Sequence, residues 1–429
     1  MKKILYVFAA SALLLVPSCQ SFEPDVFDES SAARMGTFLT EIQEALVDEP
    51  YGWSLDYYPG SKYAGTTFTI SFTSQKATVR HENNPSKSET STYILKRDDG
   101  PVLSFDTYNT ILHQYATPSS RLYQAKGGDF EFEITSFNKT THEVVLIGKR
   151  SRNTCTLRPL EKPSEKYLED IRSFEKGLTI AAAAANIGGK EYETYLDAGT
   201  RSISIGEKGA PDDSLKTYRY ILTDRSIRFM KPFSVESTEF TEWTFNADNE
   251  TLSGSDVTFN KFFPAGYISY EDYLGTFTLT YGGGRGSFPV TLVEDEAGSS
   301  FIMEGLSKFF QPTLSYNGGR GRLIWEKQTI GGSGSLEYIL APWDSDAGYL
   351  TWAEGVGMIG IVSDNSVADY VVEFSDNGVW ESSNNYKAKG WLIWSMNGDS
   401  SAGAVSSWSM ASGSYQLAGP ITMQKKVEE

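Results

Sequence analysis

Cysteine and histidine are nearly missing from this chain. Its 429 residues include 2 Cys and 3 His. Two cysteines cannot build a disulfide scaffold, and they cannot form a thiolate zinc cage. His81, His113 and His142 share no metal-ligand spacing, and HExxH is absent. No metal and no cofactor are expected. His113, in "NTILHQY", reads as a hydrogen-bonded structural histidine. Positive charge is also scarce. Against 55 Asp and Glu stand 38 Lys and Arg, a net charge of -17. Such a balance excludes the basic patches that nucleic acid requires. Long apolar runs are missing too. The stretch Ile4–Val16 has about 13 residues, too short to cross a bilayer of about 30 Å as a helix.

That short stretch follows Lys2 and Lys3 and ends in "VPSC". A charged start, a short apolar run and small residues make a secretory signal over 1–18. Val16-Pro17-Ser18-Cys19 looks like a bacterial lipobox, which implies that Cys19 becomes the acylated first residue. Two or three acyl chains hold a protein firmly, at about 0.8 kcal/mol per buried CH₂. Loss of residues 1–18 removes two lysines and takes the net charge from -17 to -19. Residues 19–27 then form an acidic tether. The expected address is the outer membrane, lipid-anchored, facing the cell surface or the periplasm. Cys155, in "RNTCTLRPL", is left as a buried inert thiol.

"DESSAARMGTFLTEIQEALVDEP" predicts an N-terminal amphipathic helix. Ser30 or Ser31 caps it, Met35, Phe38, Leu39, Ile42 and Leu46 share a face, and Pro50 closes it. "PSEKYLEDIRSFEKGLTIAAAAA" predicts one further helix, with Ser164 as its cap. Elsewhere short segments such as "TTFTISFTS", "DFEFEITSF" and "TYRYILT" alternate apolar and polar residues between Gly, Asn and Asp turns. The expected fold is mainly β with minor α, in antiparallel barrel or sandwich domains. "FFPAGYISYEDYLG" marks a boundary between a 28–265 α+β domain and a 270–429 antiparallel β domain. In the latter, Gly and Trp are frequent and helices vanish. "YGGGRG" at Tyr281 recurs as "YNGGRG" at Tyr316, and both read as hairpin turns needing positive φ.

The phrases "FDESSAARM", "YGWSLDYYP", "GPVLSFDTYNTILHQYATP", "GGDFEFEI" and "VVLIGKR" together resemble the Bacteroidota lipoproteins that carry domain of unknown function 4302. The resemblance is good from Phe27 to about Leu160. It implies a lipid-anchored envelope protein and supplies no activity and no catalytic residues. The C-terminal half is similar to the calycin-like β domains of such lipoproteins.

Catalytic patterns dissolve on inspection. "GVGMIG" spells a dinucleotide fingerprint, but no helix has room to follow it. "SFEK" and "SDN" are two parts of the penicillin-binding serine set, and the third part is missing. "DSDAG" is too short of carboxylates for a calcium loop. No catalytic residue is named, and the chain is expected not to be an enzyme. Aromatics remain, at 13% of residues with 9 Trp. Rings stack on the C–H faces of sugars. In "GWLIWSM", Trp391 and Trp394 point to opposite sides of a strand. Trp352, Trp391 and Trp394 are therefore candidate ligand contacts, with Arg285 and Arg320 of the repeated turns. The expected partner is a glycan, another nutrient or an envelope protein.

Overall fold

The computed structural model describes residues 30–60, 63–118, 125–365 and 368–427. The expected signal peptide, the acidic tether and Cys19 lie outside the described residues. The fold is β-rich and antiparallel throughout, with helices α1 (Ser31–Asp48), α2 (Thr110–His113), α3 (Ser164–Gly177), α4 (Tyr270–Tyr273) and α5 (Val379–Asn384). Three β bodies follow one another, so the span read as one α+β domain carries two separate sheets.

The first body is a nine-stranded curled sheet between Trp53 and Pro159. Its two edge strands, Asn84–Thr92 and Ile94–Arg97, are consecutive in the chain, with only Tyr93 between them. The sheet therefore bends into a half-barrel around Trp53, Phe68, Phe105, Phe132 and Leu157. Helix α1 covers this core as its apolar stripe predicts. Ile42 and Leu46 are buried, and Phe38 packs beside them. The Ser30 hydroxyl accepts from the Ala33 N–H at 3.2 Å, which caps the helix. The Leu46 carbonyl, otherwise orphaned near the helix end, accepts from the Trp53 indole at 3.0 Å.

Helix α3 bridges to the second body, an eight-stranded closed barrel from Ala182 to Lys261. Two expectations fail here. Pro163 stands at the N-cap, while the Ser164 hydroxyl donates to the Tyr51 carbonyl. The alanine run is strand, not helix. Gly177 ends α3, and Ala182–Ala185 pair with Tyr195–Tyr192, while Ala183 and Ala184 close the ring on Lys261 and Asn260. Alanine favours helix, but completing a barrel's hydrogen bonds outweighs a propensity of under about 1 kcal/mol per residue. Trp243, Phe240, Phe259 and Phe229 fill the interior. Eight strands enclose a space just wide enough for such side chains.

The third body is a second closed eight-stranded barrel, from Gly275 to Lys425. Its interior is filled by Phe277, Phe301, Leu323 and Trp325. The chain leaves this barrel twice, after Glu326 and after Asp376. The two excursions pair with each other as an inserted sheet, in the order Gln328–Ser333, Leu336–Asp344, Gly390–Asn397, Ser400–Ala404. The second excursion includes α5, so helices do not vanish from this half; Gly378, at φ 80°, lets the chain turn into it. The two repeated turns are hairpins. Gly282, Gly283 and Gly284 in the first and Gly321 in the second take positive φ.

Candidate functional site

Filled barrels leave the outer surfaces as the place for a ligand. The inserted sheet has one face on the barrel core. Tyr338, Leu340, Trp391, Ile393 and Leu417 point that way. Trp391 is 0% exposed and stacks on Trp325, with ring centroids 4.9 Å apart. It is a core residue, not a ligand contact.

The opposite face behaves differently. Strand alternation puts Ile339, Ala341 and Trp343 on it from one strand, and Leu392, Trp394 and Met396 from the next. Ile339, Ala341 and Met396 are buried beneath Leu350 and Trp394. Trp394 is half-buried, and its indole N–H donates to the Ser401 hydroxyl at 2.9 Å. Trp343, opposite Leu350 in the register, is half-buried as well. The Thr351 N–H donates to the Pro342 carbonyl at 3.1 Å, which holds the chain beside this strand just before Trp352. Trp352 is 41% exposed. Of the candidate tryptophans, Trp394 lies on this face, and Trp352 follows Leu350, which packs on it. Trp343 belongs to the tryptophans that crowd the last third of the sequence but is not among the candidates, although its two-residue offset from Ala341 puts it on this face.

The turn Asp344–Gly348 separates this face from a cavity of about 300 Å³ between barrel and inserted sheet. Met358, Phe374, Ala388 and Pro420 make its apolar lining, and Asp346, Asp376, Lys387 and Lys389 its charged part. Asp344 accepts from the N–H groups of Asp346, Ala347 and Lys387 at 3.1–3.2 Å. Burial would raise its carboxyl, yet these N–H groups and the nearby Lys389 ammonium hold it below the usual range. Lys389 lies 3.3 Å from Asp344 and 2.6 Å from Asp346, so these carboxylates already hold a cation. Outside the turn, Tyr349 is exposed and packs at a tilt against Tyr386, with centroids 4.6 Å apart.

Arg285 and Arg320 do not form a pair site. Arg285 is exposed on a turn tied to Ala418 through Gly282. Arg320 holds Asp212 of the first barrel and lies 3.3 Å from the centroid of the Tyr195 ring. It joins the two barrels.

Several buried titratable groups meet at the junction of the half-barrel and the first barrel. Arg201, at φ 45°, reaches out of a barrel turn. Its guanidinium donates to Glu82 at 2.6 Å, to the Gly65 carbonyl at 3.1 Å and to Glu175 of α3 at 2.7 Å. Thr66 donates its hydroxyl proton to Glu82. His81 Nδ1 accepts from the Asn83 N–H at 3.1 Å, so its ring proton sits on Nε2, 2.8 Å from the Thr66 oxygen. Burial, with Arg201 and Lys126 adding to it, drops the His81 imidazole to about 4. Glu82 is 3% exposed, and burial pushes its carboxyl up against the pull of Arg201. Arg201, Glu82 and His81 are buried while Glu175 stays half exposed at the rim, and the cluster works as a bolt. A neighbouring cavity of about 200 Å³ is lined by Lys162, Arg158 and Arg228. Those cations are already held, by Asp170 and Asp224, by Glu143, and by Asp56.

The remaining residues singled out from sequence have structural surroundings. His113 Nδ1 accepts from the Asn109 N–H at 3.1 Å, and its ring stacks on Phe130. Burial pushes the Cys155 thiol up to about 12. The Ser173 hydroxyl donates to the Glu169 carbonyl within α3. Gly357–Val362 of the apparent dinucleotide fingerprint is a barrel strand. Among the described residues no metal-ligating cluster occurs, and no helix is long and apolar enough to cross a membrane.

Family comparison agrees with the phrases quoted above. The model of domain of unknown function 4302 matches residues 23–247. The chain belongs to that family. A second model, domain of unknown function 4987, matches residues 250–394. The 4302 match covers the half-barrel, α3 and most of the first barrel; the 4987 match covers much of the second barrel and the first three strands of its inserted sheet. No curated protein matches this chain. Neither family description names an activity, so the site must speak for itself.

Proposed function

We propose that this is a non-enzymatic, lipid-anchored envelope protein of the outer membrane in Bacteroidota. Cys19 carries the anchor, and the outer face of the inserted sheet binds a glycan. The observation that carries the binding reading is Trp394. Its indole lies over an apolar sheet face, half open to solvent, with its N–H already directed to Ser401. A ring held that way offers its π-face to sugar C–H groups, while Ser401, Thr329 and Glu337 supply hydroxyl and carboxylate partners at the margin. Filled barrel interiors favour the same reading, since they leave no lipocalin-type cup.

A glycan array probed with the soluble form that starts at Gln20 tests this. The expected result is a defined set of glycan signals, weakened in Trp394→Ala. Absence of any signal in the parent protein removes the reading. The anchor has its own test, in which Cys19→Ala moves the protein from the membrane to the soluble fraction; unchanged membrane association would refute it. A second reading rests on the part-exposed apolar side chains of the same face, Leu350 and Trp394, which cover Ile339 and Met396. It makes the sheet face a contact for another envelope protein, and cross-linking at Trp394 to one protein, with no glycan signal, would favour it.

A further inference from the structure

The cavity beside the Asp344–Gly348 turn is not needed for the outer face to work, and its chemistry is selective. Two ammonium groups, Lys387 and Lys389, and two carboxylates, Asp346 and Asp376, enter its lining. Their charges cancel. They also hold one another or the adjoining backbone. Lys389 is 2.6 Å from Asp346, and Lys387 is 3.0 Å from Glu381 outside the lining. Asp376 accepts from the Ala388 N–H at 2.6 Å and the Gly378 N–H at 2.7 Å. With Asp344 and Glu381, which the two lysines also touch, the carboxylates outnumber the ammoniums, so an anion is repelled and a cation has to displace a lysine from an existing pair.

Hydrogen-bonding capacity is left over. An ammonium has three donors, and a carboxylate has about four lone-pair positions. Lys389 directs its ammonium at two carboxylates. Asp376 uses one position on each oxygen. Donors and acceptors are thus available together around an apolar lining of Met358, Phe374, Ala388 and Pro420. A neutral ring with one C–H face and a rim of hydroxyls matches that pattern. The volume, about 300 Å³, lies at the small end of ligand pockets and suits one ring.

We infer that this cavity is a second sugar site, which takes a single neutral hexopyranose unit. The inference shares the carbohydrate class with the reading of the outer face but uses none of its residues. It is tested by saturation-transfer NMR on the chain from Gln20 onward. Probes are the methyl glycosides of glucose, galactose and mannose at millimolar concentration, with glucuronate and glucosamine as charged controls. Two variants block the cavity from its rim, Ser375→Trp on an exposed strand position and Ser345→Trp on the turn.

Transfer to at least one neutral glycoside is expected. It should be lost in both blocked variants, retained in Trp394→Ala, and exceed transfer to either control. No transfer to any neutral glycoside overturns the inference, as does transfer that survives in a correctly folded blocked variant. Stronger binding of either charged sugar overturns it too. If array signals persist while methyl glycosides fail, the cavity inference falls and the outer-face reading stands. If glycosides bind in the cavity while the array stays silent, the reverse holds.

Discussion

Arg201 is the most exposing place to perturb the molecule. The substitution Arg201→Met keeps much of the aliphatic length and removes the guanidinium. Glu82 then loses its cation, and the Gly65 carbonyl loses a donor. Glu175 is about half exposed, so its share of the loss is small. Removing one partner of a buried pair costs about 3–5 kcal/mol, because the other charge stays in low dielectric. Glu82 has a way to reduce that cost, which is to take up a proton. Burial already raises its carboxyl, and the opposing Arg201 is gone. In the unfolded chain it titrates near its ordinary value of 4.5. Above that value the folded variant holds a proton that the unfolded chain has released. Stability of the variant must then fall as pH rises, by up to about 1.4 kcal/mol per pH unit. In the parent protein Arg201 opposes that rise, so the slope from Glu82 is smaller. Hydrogen exchange of peptides covering Gly65–Glu82 and Gly199–Glu207, read beside thermal unfolding, measures the effect locally. The expected loss is about 3 kcal/mol near pH 7.5 and clearly less near pH 5.5. Arg201→Met with Glu82→Gln should recover most of it and abolish the pH dependence. A loss below about 1 kcal/mol at both pH values, or an equal loss at both, would refute the reasoning.

Further outcomes follow from the same geometry. His81 titrates near 4 when folded and near 6.5 when unfolded, so the unfolded chain gains the proton first on acidification. Stability present above about pH 6.5 should fall by about 3 kcal/mol down to about pH 4, and His81→Gln should flatten that segment of a melting profile. Cys155, buried with a raised thiol, should resist a disulfide reagent in the form from Gln20 until denaturant opens the half-barrel. Gly266 has φ 71°, and a Cβ there would run into the Val362 carbonyl. Gly266→Ala should cost at least about 1 kcal/mol and lower the melting temperature of the C-terminal body, checked by calorimetry. Trp394→Ala should weaken binding of any array-identified glycan by about 1 kcal/mol, roughly fivefold, measured by titration calorimetry.

Local pattern made much of the architecture legible. The stripe Phe38, Ile42 and Leu46 is a helix face, and it is the face that covers the half-barrel. Alternation alone separates Trp391 and Trp394 onto the two sides of their strand. What alternation leaves open is which side meets a core. That depends on pairing with Leu336–Asp344, which lies in the earlier excursion of the chain. The alanine run misled because its strand identity comes from partners on both sides, not from its own preference. Arg320 looked like half of a repeated motif; its partner Asp212 lies on the other barrel and leaves no trace in the local sequence. Arg201 gave no signal either, because a single Arg in the turn "DAGTRS" says nothing about Glu82.

The inserted sheet has a consequence for synthesis. Its two central strands come from excursions that leave the barrel at different times, Leu336–Asp344 early and Gly390–Asn397 late. The barrel closes only when Ile421–Lys425 pairs with Gly275–Tyr281. A nascent chain therefore carries Trp343 and Trp352 well before the strand that bears Trp394 has been made. The aromatic face is complete only once Gly390–Asn397 has been made and has docked on the earlier excursion, so its two halves wait for each other across two intervening barrel strands.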